Sequence, residues 1–420
     1  MTLLTLLLGL IFLHSLVSGR LERTVFTAPI VFTGVGALVF VLAPQMVAQI
    51  RSHDMLLHMA ELGLVLLLFT DASRTDLRVL RDIRTLPGRL LSVGMLLTIA
   101  LGGIAAKLLF PALSWWEAGI LAAVLAPTDA GLGQIIVNSK SVPLRIRQTL
   151  NVEAGLNDGL SVPFLLFFIA MAGEQEGRGA SLLSLVYEQL GLGTLVGLVI
   201  GLGGGFLLRF AHRHDWVAHS WRQLGVVVLP LLCLLASDEV GASMFIAAFV
   251  AGLAVQVGFP ETARHSVEFT EEWGQLFNLS VFFLFGLSAA RAWPDFAWPH
   301  VIYALLSLTV VRMLPVALAL VGAKLSTATV LFVGWFGPRG LASIVLGLVF
   351  LEHDVQVSGE ATIRLAVIVA VLSSVFAHGA SALPGMQVYA RCVARLPADA
   401  PELTNGTEAT VETGPSKTGS

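Results

Sequence analysis

Apolar residues in this chain come in long unbroken runs, not in alternation. Short polar, proline or glycine breaks separate thirteen such runs: 2–17, 26–44, 55–72, 90–110, 117–137, 149–172, 185–208, 223–237, 240–258, 274–290, 300–322, 328–350 and 364–384. Continuous apolar runs suit helices that cross a ~30 Å hydrocarbon core, whereas a β-barrel would alternate. The pattern predicts an all-α polytopic membrane protein of about 13 transmembrane helices within residues 1–395. Two runs carry helix breakers. Pro127 and Gly131 interrupt the fifth; Gly337, Pro338 and Gly340 interrupt the twelfth. Being seven spans apart, they run in opposite directions. Such a pair predicts inverted repeats with two broken crossing helices and a site at their interface.

Composition agrees. The chain is 56% hydrophobic and 13% charged, with mean hydropathy +0.83, where soluble domains carry about 25% charged residues. The lipid bilayer is therefore its first partner, and no nucleic-acid partner is expected. Cys233 and Cys392 are too few and too far apart for a disulfide framework or a metal site. Residues 1–17 lack a basic residue before Arg20 and read as a first span, not a signal peptide. Arg74, Arg78, Arg81, Arg84 and Arg89 follow the third span; Lys140, Arg145 and Arg147 the fifth; Arg209, Arg213 and Arg222 the seventh. The loops after spans four and eight hold none. This bias places the N-terminus outside and the C-terminus in the cytoplasm of a cell-membrane protein. Residues 396–420 read as a disordered cytoplasmic tail, with a glycosylation-type triplet at Asn405-Gly406-Thr407.

Ionisable residues inside spans are costly and mark function by default. Asp129 follows Thr128 at the break of the fifth span, and Asp158 follows Asn157 in the sixth. Carboxylate, hydroxyl and exposed carbonyl oxygens are what a hard monovalent cation such as Na⁺ wants. A buried carboxylate can hold a proton or a cation, but not both well. The bland readings are that Thr128 and Asp129 cap the half-helix that follows and that Asp158 is a protonated inter-helix hydrogen-bonding group. Asp71, ending the third span, is either a third acidic ligand or an interfacial acid beside Arg74. Glu61 is either a pore group or a snorkelling surface acid, the latter being the expected reading. Glu153 lies about 140° around the helix from Asp158 and needs its own partner; Arg339 is the expected one, a structural pair joining the two broken regions. Arg312 has no obvious partner. His212, His214 and His219 read as a titrating surface or a pH sensor. Gly203-Gly204-Gly205 reads as packing. No phosphate loop, nucleophile elbow or zinc spacing is present, so no cofactor and no enzyme activity are expected.

Ala126-Pro-Thr-Asp129, Glu153 through Asp158, Gly241 through Gly252, Gly337-Pro-Arg-Gly340 and His378-Gly379, in this order, resemble the monovalent cation:proton antiporter-1 family, the sodium/proton exchangers. The resemblance implies a homodimer with a moving core domain (helices of about 55–172 and 274–384) beside a dimerisation domain made of the remaining helices. It implies that Asp158 and Asp129 bind Na⁺, and that Glu153 pairs with Arg339. It also implies that the Asn157–Asp158 pair goes with electroneutral one-for-one exchange. Three positions depart from the family pattern: Ala154 stands where Ser is common, Asp71 where Glu is, and Ala130 where Pro is. The expected activity is Na⁺ (or Li⁺) exchange for H⁺. K⁺/H⁺ exchange is the alternative within the class, and an intramembrane aspartyl hydrolase using Asp129 and Asp158 is the alternative outside it.

Overall fold

The computed structural model describes residues 2–21, 24–44, 53–74, 85–129, 135–137, 139–175, 185–259, 262–352, 357–397 and 399–403. Ala130, Gly131, Arg78, Arg81, Arg84, the Asn405 triplet and the side chains of His53 and His219 lie outside this description. The described residues are helical with no strand. In chain order the helices are α1 (Thr2–Leu21), α2 (Ala28–Leu42), α3 (His53–Arg74), α4 (Leu86–Leu109), α5 (Trp115–Val124), α6 (Leu144–Gln175) and α7 (Gly193–Arg213). They continue with α8 (His219–Val240), α9 (Met244–Gly258), α10 (Thr262–Ala292), α11 (Trp298–Ala319), α12 (Thr327–Trp335), α13 (Leu341–Glu352) and α14 (Glu360–Val393). Helices α1 to α11 match the first eleven expected spans, with α5 the first half of the fifth. The twelfth is split into α12 and α13, each too short to cross alone.

Helix packing follows small residues. Gly193, Gly197, Gly201 and Gly205 recur every four residues on one buried face of α7. A Cβ at Gly197 or Gly201 would fall 2.5 or 2.6 Å from the Ala247 or Ala251 carbonyl of α9. In lipid such close approach is what associates helices. Of the expected glycine triplet, Gly204 and Gly205 do pack, against Leu229 and Gly258, while Gly203 faces open space. Gly36 of α2 and Gly286 of α10 lie on each other's backbones, against the carbonyls of Phe283 and Thr33. These seams put α3 and α10 with α2 and α9, while α4, α5, α6 and α11 to α14 pack mainly among themselves, with α3 also touching α6 and α13. Hydrophobicity alone does not report which face of α3 or α10 carries the seam.

Each half-helix before a break starts with a serine cap completed by a buried carboxylate. At α5, Ser114 Oγ accepts from the Glu117 N–H (3.2 Å) and Glu117 Oε2 accepts from the Ser114 N–H (2.6 Å), a capping box. The other oxygen of Glu117 accepts from the Gly359 N–H at 2.6 Å, tying α5 to the start of α14. At α12, Ser326 Oγ accepts from the Thr329 N–H, and position 329 offers no carboxylate. Glu402 supplies it from beyond α14. Its Oε1 accepts from the Ser326 N–H (2.6 Å) and the Thr329 hydroxyl (2.9 Å), while Arg145 of α6 donates to the Pro401 carbonyl (2.6 Å). The expectation of disorder from Leu396 onward is thus corrected for the described residues through Leu403, which dock on α6 and α12. A polar, proline-rich stretch reads as tail because its partners lie more than seventy residues away.

Burial pushes the Glu402 carboxyl up, but the donors of Ser326 and Thr329 outweigh it and hold the group below the usual carboxylate range. A depressed folded-state value means stability that is present above the ordinary range and lost as pH falls through the lowered value. Glu402→Ala is expected to lower the apparent melting temperature at neutral pH, in line with the roughly 0.5–2 kcal/mol of a helix cap. In acid, where the parent has lost the same charge, the gap should close. A pH series of thermal unfolding in detergent checks it; a gap that stays constant into acid would mean the carboxylate is not what holds the tail.

Candidate functional site

The two breaks cross each other. Residues after Val124 and after Trp335 leave the helical path, which frees carbonyls and N–H groups at mid-membrane that must find partners in the protein. They find them reciprocally. The Asp129 N–H donates to the Pro338 carbonyl at 2.7 Å. Asp129 Oδ2 accepts from the Leu341 N–H at 2.7 Å, at the start of α13. In return, Arg339 Nη1 donates to the Ala126 and Pro127 carbonyls, at 2.6 and 3.0 Å, just past the end of α5. An anion at a helix N-terminus and a cation at a C-terminus both suit the helix dipole. Asp129 therefore caps the other broken span, at the start of α13. Gly340 makes room, because any Cβ there would overlap the Asp129 carboxylate.

Asp158 and Asn157 stand on α6 beside this crossing, both 3% exposed. The Asn157 amide nitrogen donates to the Thr128 hydroxyl at 2.7 Å, so the sixth span is bonded directly to the break of the fifth. Asn157 Oδ1 and Asp158 Oδ1 are buried and have no hydrogen-bond partner among the described residues. Asp129 and Asp71 are close enough for their charges to act on Asp158. Asp71 comes from α3, against Gly155, whose added Cβ would stand 3.1 Å from that of Asp71. Four sequence-nominated residues, Thr128, Asp129, Asn157 and Asp158, thus meet at one place, with Asp71 on its margin. A small cavity of about 10 Å³ opens beside them, lined by Thr128, Asp129, Leu150, Ala154, Phe336 and Pro338 among others. That is room for about one water-sized particle. Ala154 lies one turn before Asp158, on the same face.

The expected Glu153–Arg339 pair is not formed. Glu153 Oε1 bonds Arg312 Nη1 at 2.6 Å, with both side chains buried. The Arg312 guanidinium lies against Gly337, so the pair still joins the sixth span to the twelfth, through α11. Two buried arginines compete for one carboxylate, and Arg339 turns its Nη1 to backbone carbonyls instead. Glu61 is buried, at 8% exposed, not a snorkelling surface acid. His212 and His214 sit at the end of α7 and just past it, in ring contact with Phe259 and with Phe210 and Trp216. His378, noticed in the sequence only as part of a motif, is buried against both break residues Trp335 and Arg339 by way of Ser374.

The family model described as sodium/hydrogen exchanger, transmembrane, matches residues 3–386. A Na⁺/H⁺ antiporter of Schizosaccharomyces pombe is 29% identical over 303 residues, covering 64% of this chain and 64% of the relative. A K⁺/H⁺ antiporter of Alkalimonas amylolytica is 23% identical, covering 82% of this chain and 59% of the relative. This chain spans less than two-thirds of the length of these relatives. Among solved structures, a sodium proton antiporter of Methanocaldococcus jannaschii superposes with a TM-score of 0.70 at 20% identity, over 92% of this chain and 98% of that one. The fold is shared at a sequence distance where little else carries over.

Proposed function

Because the chain belongs to the sodium/hydrogen exchanger transmembrane family, we propose that it is a secondary-active antiporter exchanging Na⁺ or Li⁺ for H⁺. The observation that carries this reading is Asp158: a buried carboxylate with an unbonded oxygen, next to a like oxygen of Asn157, at the crossing of two broken helices. Asp158 takes either a proton or a cation. Thr128 and Asp129 stand within the same site, and Asp71 adds negative potential from α3. Asn157 and the Glu153–Arg312 and Arg339 contacts hold the frame that moves. With Asn157 in place of a second carboxylate, the cycle is electroneutral. The protein works as a homodimer in the cell membrane, N-terminus outside and C-terminus in the cytoplasm, and needs no cofactor.

K⁺ is the competing cargo, favoured by the K⁺/H⁺ relative and by Ala154, which lines the cavity without offering an oxygen. The hydrolase reading needs two carboxylates sharing a proton, whereas Asp129 is engaged as an acceptor at Leu341. Proteoliposomes loaded with a pH-sensitive dye and challenged with Na⁺, Li⁺ or K⁺ decide. Proton movement on adding Na⁺ or Li⁺ supports the proposal; movement with K⁺ alone moves the cargo assignment, and movement with none removes antiport.

Ala154→Ser is expected to tighten Na⁺ binding. Its hydroxyl would enter the cavity between Asp129 and the turn that carries Asp158, sharing the cation's charge, and the proton has no use for that ligand. The apparent KM for Na⁺ should fall at fixed pH, and the pH at which protons outcompete Na⁺ should move down. An unchanged KM across the pH range would mean the cation does not sit where Ala154 faces.

A further inference from the structure

Between Trp335, which ends α12, and Leu341, which begins α13, the chain is not helical. In an unbroken helix the Arg339 N–H would bond the carbonyl four residues back, that of Trp335. Here the Arg339 N–H turns to α14, and the Trp335 carbonyl, which also accepts from the Gly337 N–H at 2.9 Å, is met from α14 as well. The Arg339 N–H donates to Ser374 Oγ at 2.6 Å. Ser374 Oγ lies 3.1 Å from His378 Nδ1, and His378 Nε2 lies 2.9 Å from the Trp335 carbonyl. Ser374 and His378 are one turn apart on α14, at 0% and 2% exposed.

The direction of these bonds follows from the groups themselves. A carbonyl only accepts, so Nε2 carries the ring proton. Ser374 Oγ already accepts from Arg339, and its own proton points to Nδ1, the acceptor of the neutral ring. The opposite tautomer would set the Nε2 lone pair against the Trp335 oxygen. Nδ1 also lies 3.0 Å from the Ser374 carbonyl, which it could bond only in a cationic ring. That ring would break the bond from Ser374 and add a third positive charge beside Arg312 and Arg339. Trp335 is held a second time, by its indole N–H on Ser381 Oγ at 2.9 Å, one turn further along α14.

We propose that Ser374 and His378 form a relay that replaces the helical hydrogen bond lost at the break, Arg339 N–H to Ser374 to His378 to the Trp335 carbonyl. They are positioning residues. The relay fixes the backbone at Arg339, whose guanidinium then reaches Ala126 and Pro127, and fixes Leu341, whose N–H meets Asp129. The break is thereby a defined angle and not a loose hinge, and α14 sets it.

The transport arm of the test rests on the exchange reading above. Ser374→Ala and His378→Leu each cut the relay, so each is expected to raise the apparent KM for Na⁺ about fivefold, the equivalent of one hydrogen bond, per folded protein. The double variant should be no worse than either single, because a chain broken once is already broken. His378→Gln, whose amide offers one donor and one acceptor, should recover part of the loss. Losses that add in the double variant, or an unchanged KM in both singles, would overturn the relay. The same cycle read by thermal unfolding in detergent needs no transport: a double variant as stable as the worse single supports the relay, and additive destabilisation overturns it. A parent protein that moves no protons with any cation would remove the exchange reading alone and leave the thermal cycle to decide.

Discussion

Asp158→Asn is expected to reduce Na⁺-driven proton movement to the level of protein-free vesicles while leaving a folded protein. The amide has the volume of the carboxyl, so the packing of α6 against the crossing survives. It neither titrates nor carries the charge that draws a cation out of water. Among the described residues, Asp158 Oδ1 accepts no hydrogen bond that the substitution would sacrifice. Melting temperature should therefore stay near that of the parent, or rise, since a buried ionisable group near Asp129 and Asp71 has been removed. Robust cation-dependent flux by Asp158→Asn would take Asp158 out of the central role.

Arg312→Ala is expected to be the most destabilising change at the site. It strands Glu153, 2% exposed, without its partner at 2.6 Å. Removing one member of a buried pair costs roughly 3–5 kcal/mol, whereas replacing both is often nearly neutral. The double variant Glu153→Gln with Arg312→Gln should thus recover much of the loss in thermal unfolding and in yield of folded protein. Glu153→Gln with Arg339→Gln should recover little, because Arg339 bonds carbonyls of the fifth span. Equal recovery in both double variants would mean that Glu153 is shared between the two arginines.

The sequence carried the parts of the site that lie along single helices. Pro127 and Gly337-Pro338 announced the breaks, and Asp129, Asn157 and Asp158 announced polar groups at membrane depth. The angle of about 140° between Glu153 and Asp158 follows from helix geometry alone. Contacts across elements were not legible. Choosing between Arg312 and Arg339 for Glu153 requires the rotation of α11 and the angle of the break, and neither leaves a periodic trace. The same holds for Asp129, whose capping preference is visible but whose target, the Leu341 N–H, comes from a span 212 residues away. Glu402 and His378 were hidden for a related reason. One sits in a stretch whose composition reads as tail, the other in a helix whose breaks and partners lie elsewhere. Both meet polar groups at the ends of α12 that a neighbouring segment satisfies, Glu402 at its start and His378 at the break where it ends.

The competition of cation and proton at Asp158 is tested most directly by the apparent KM for Na⁺, measured in proteoliposomes across a range of pH. If one carboxylate holds either ion, KM should rise as pH falls, approaching about tenfold per pH unit once the proton dominates, since ligands must be deprotonated to bind a cation. Saturating Na⁺ should restore the full rate at every pH. A KM that does not change with pH, with the loss of activity in acid falling on the maximal rate alone, would contradict a shared site.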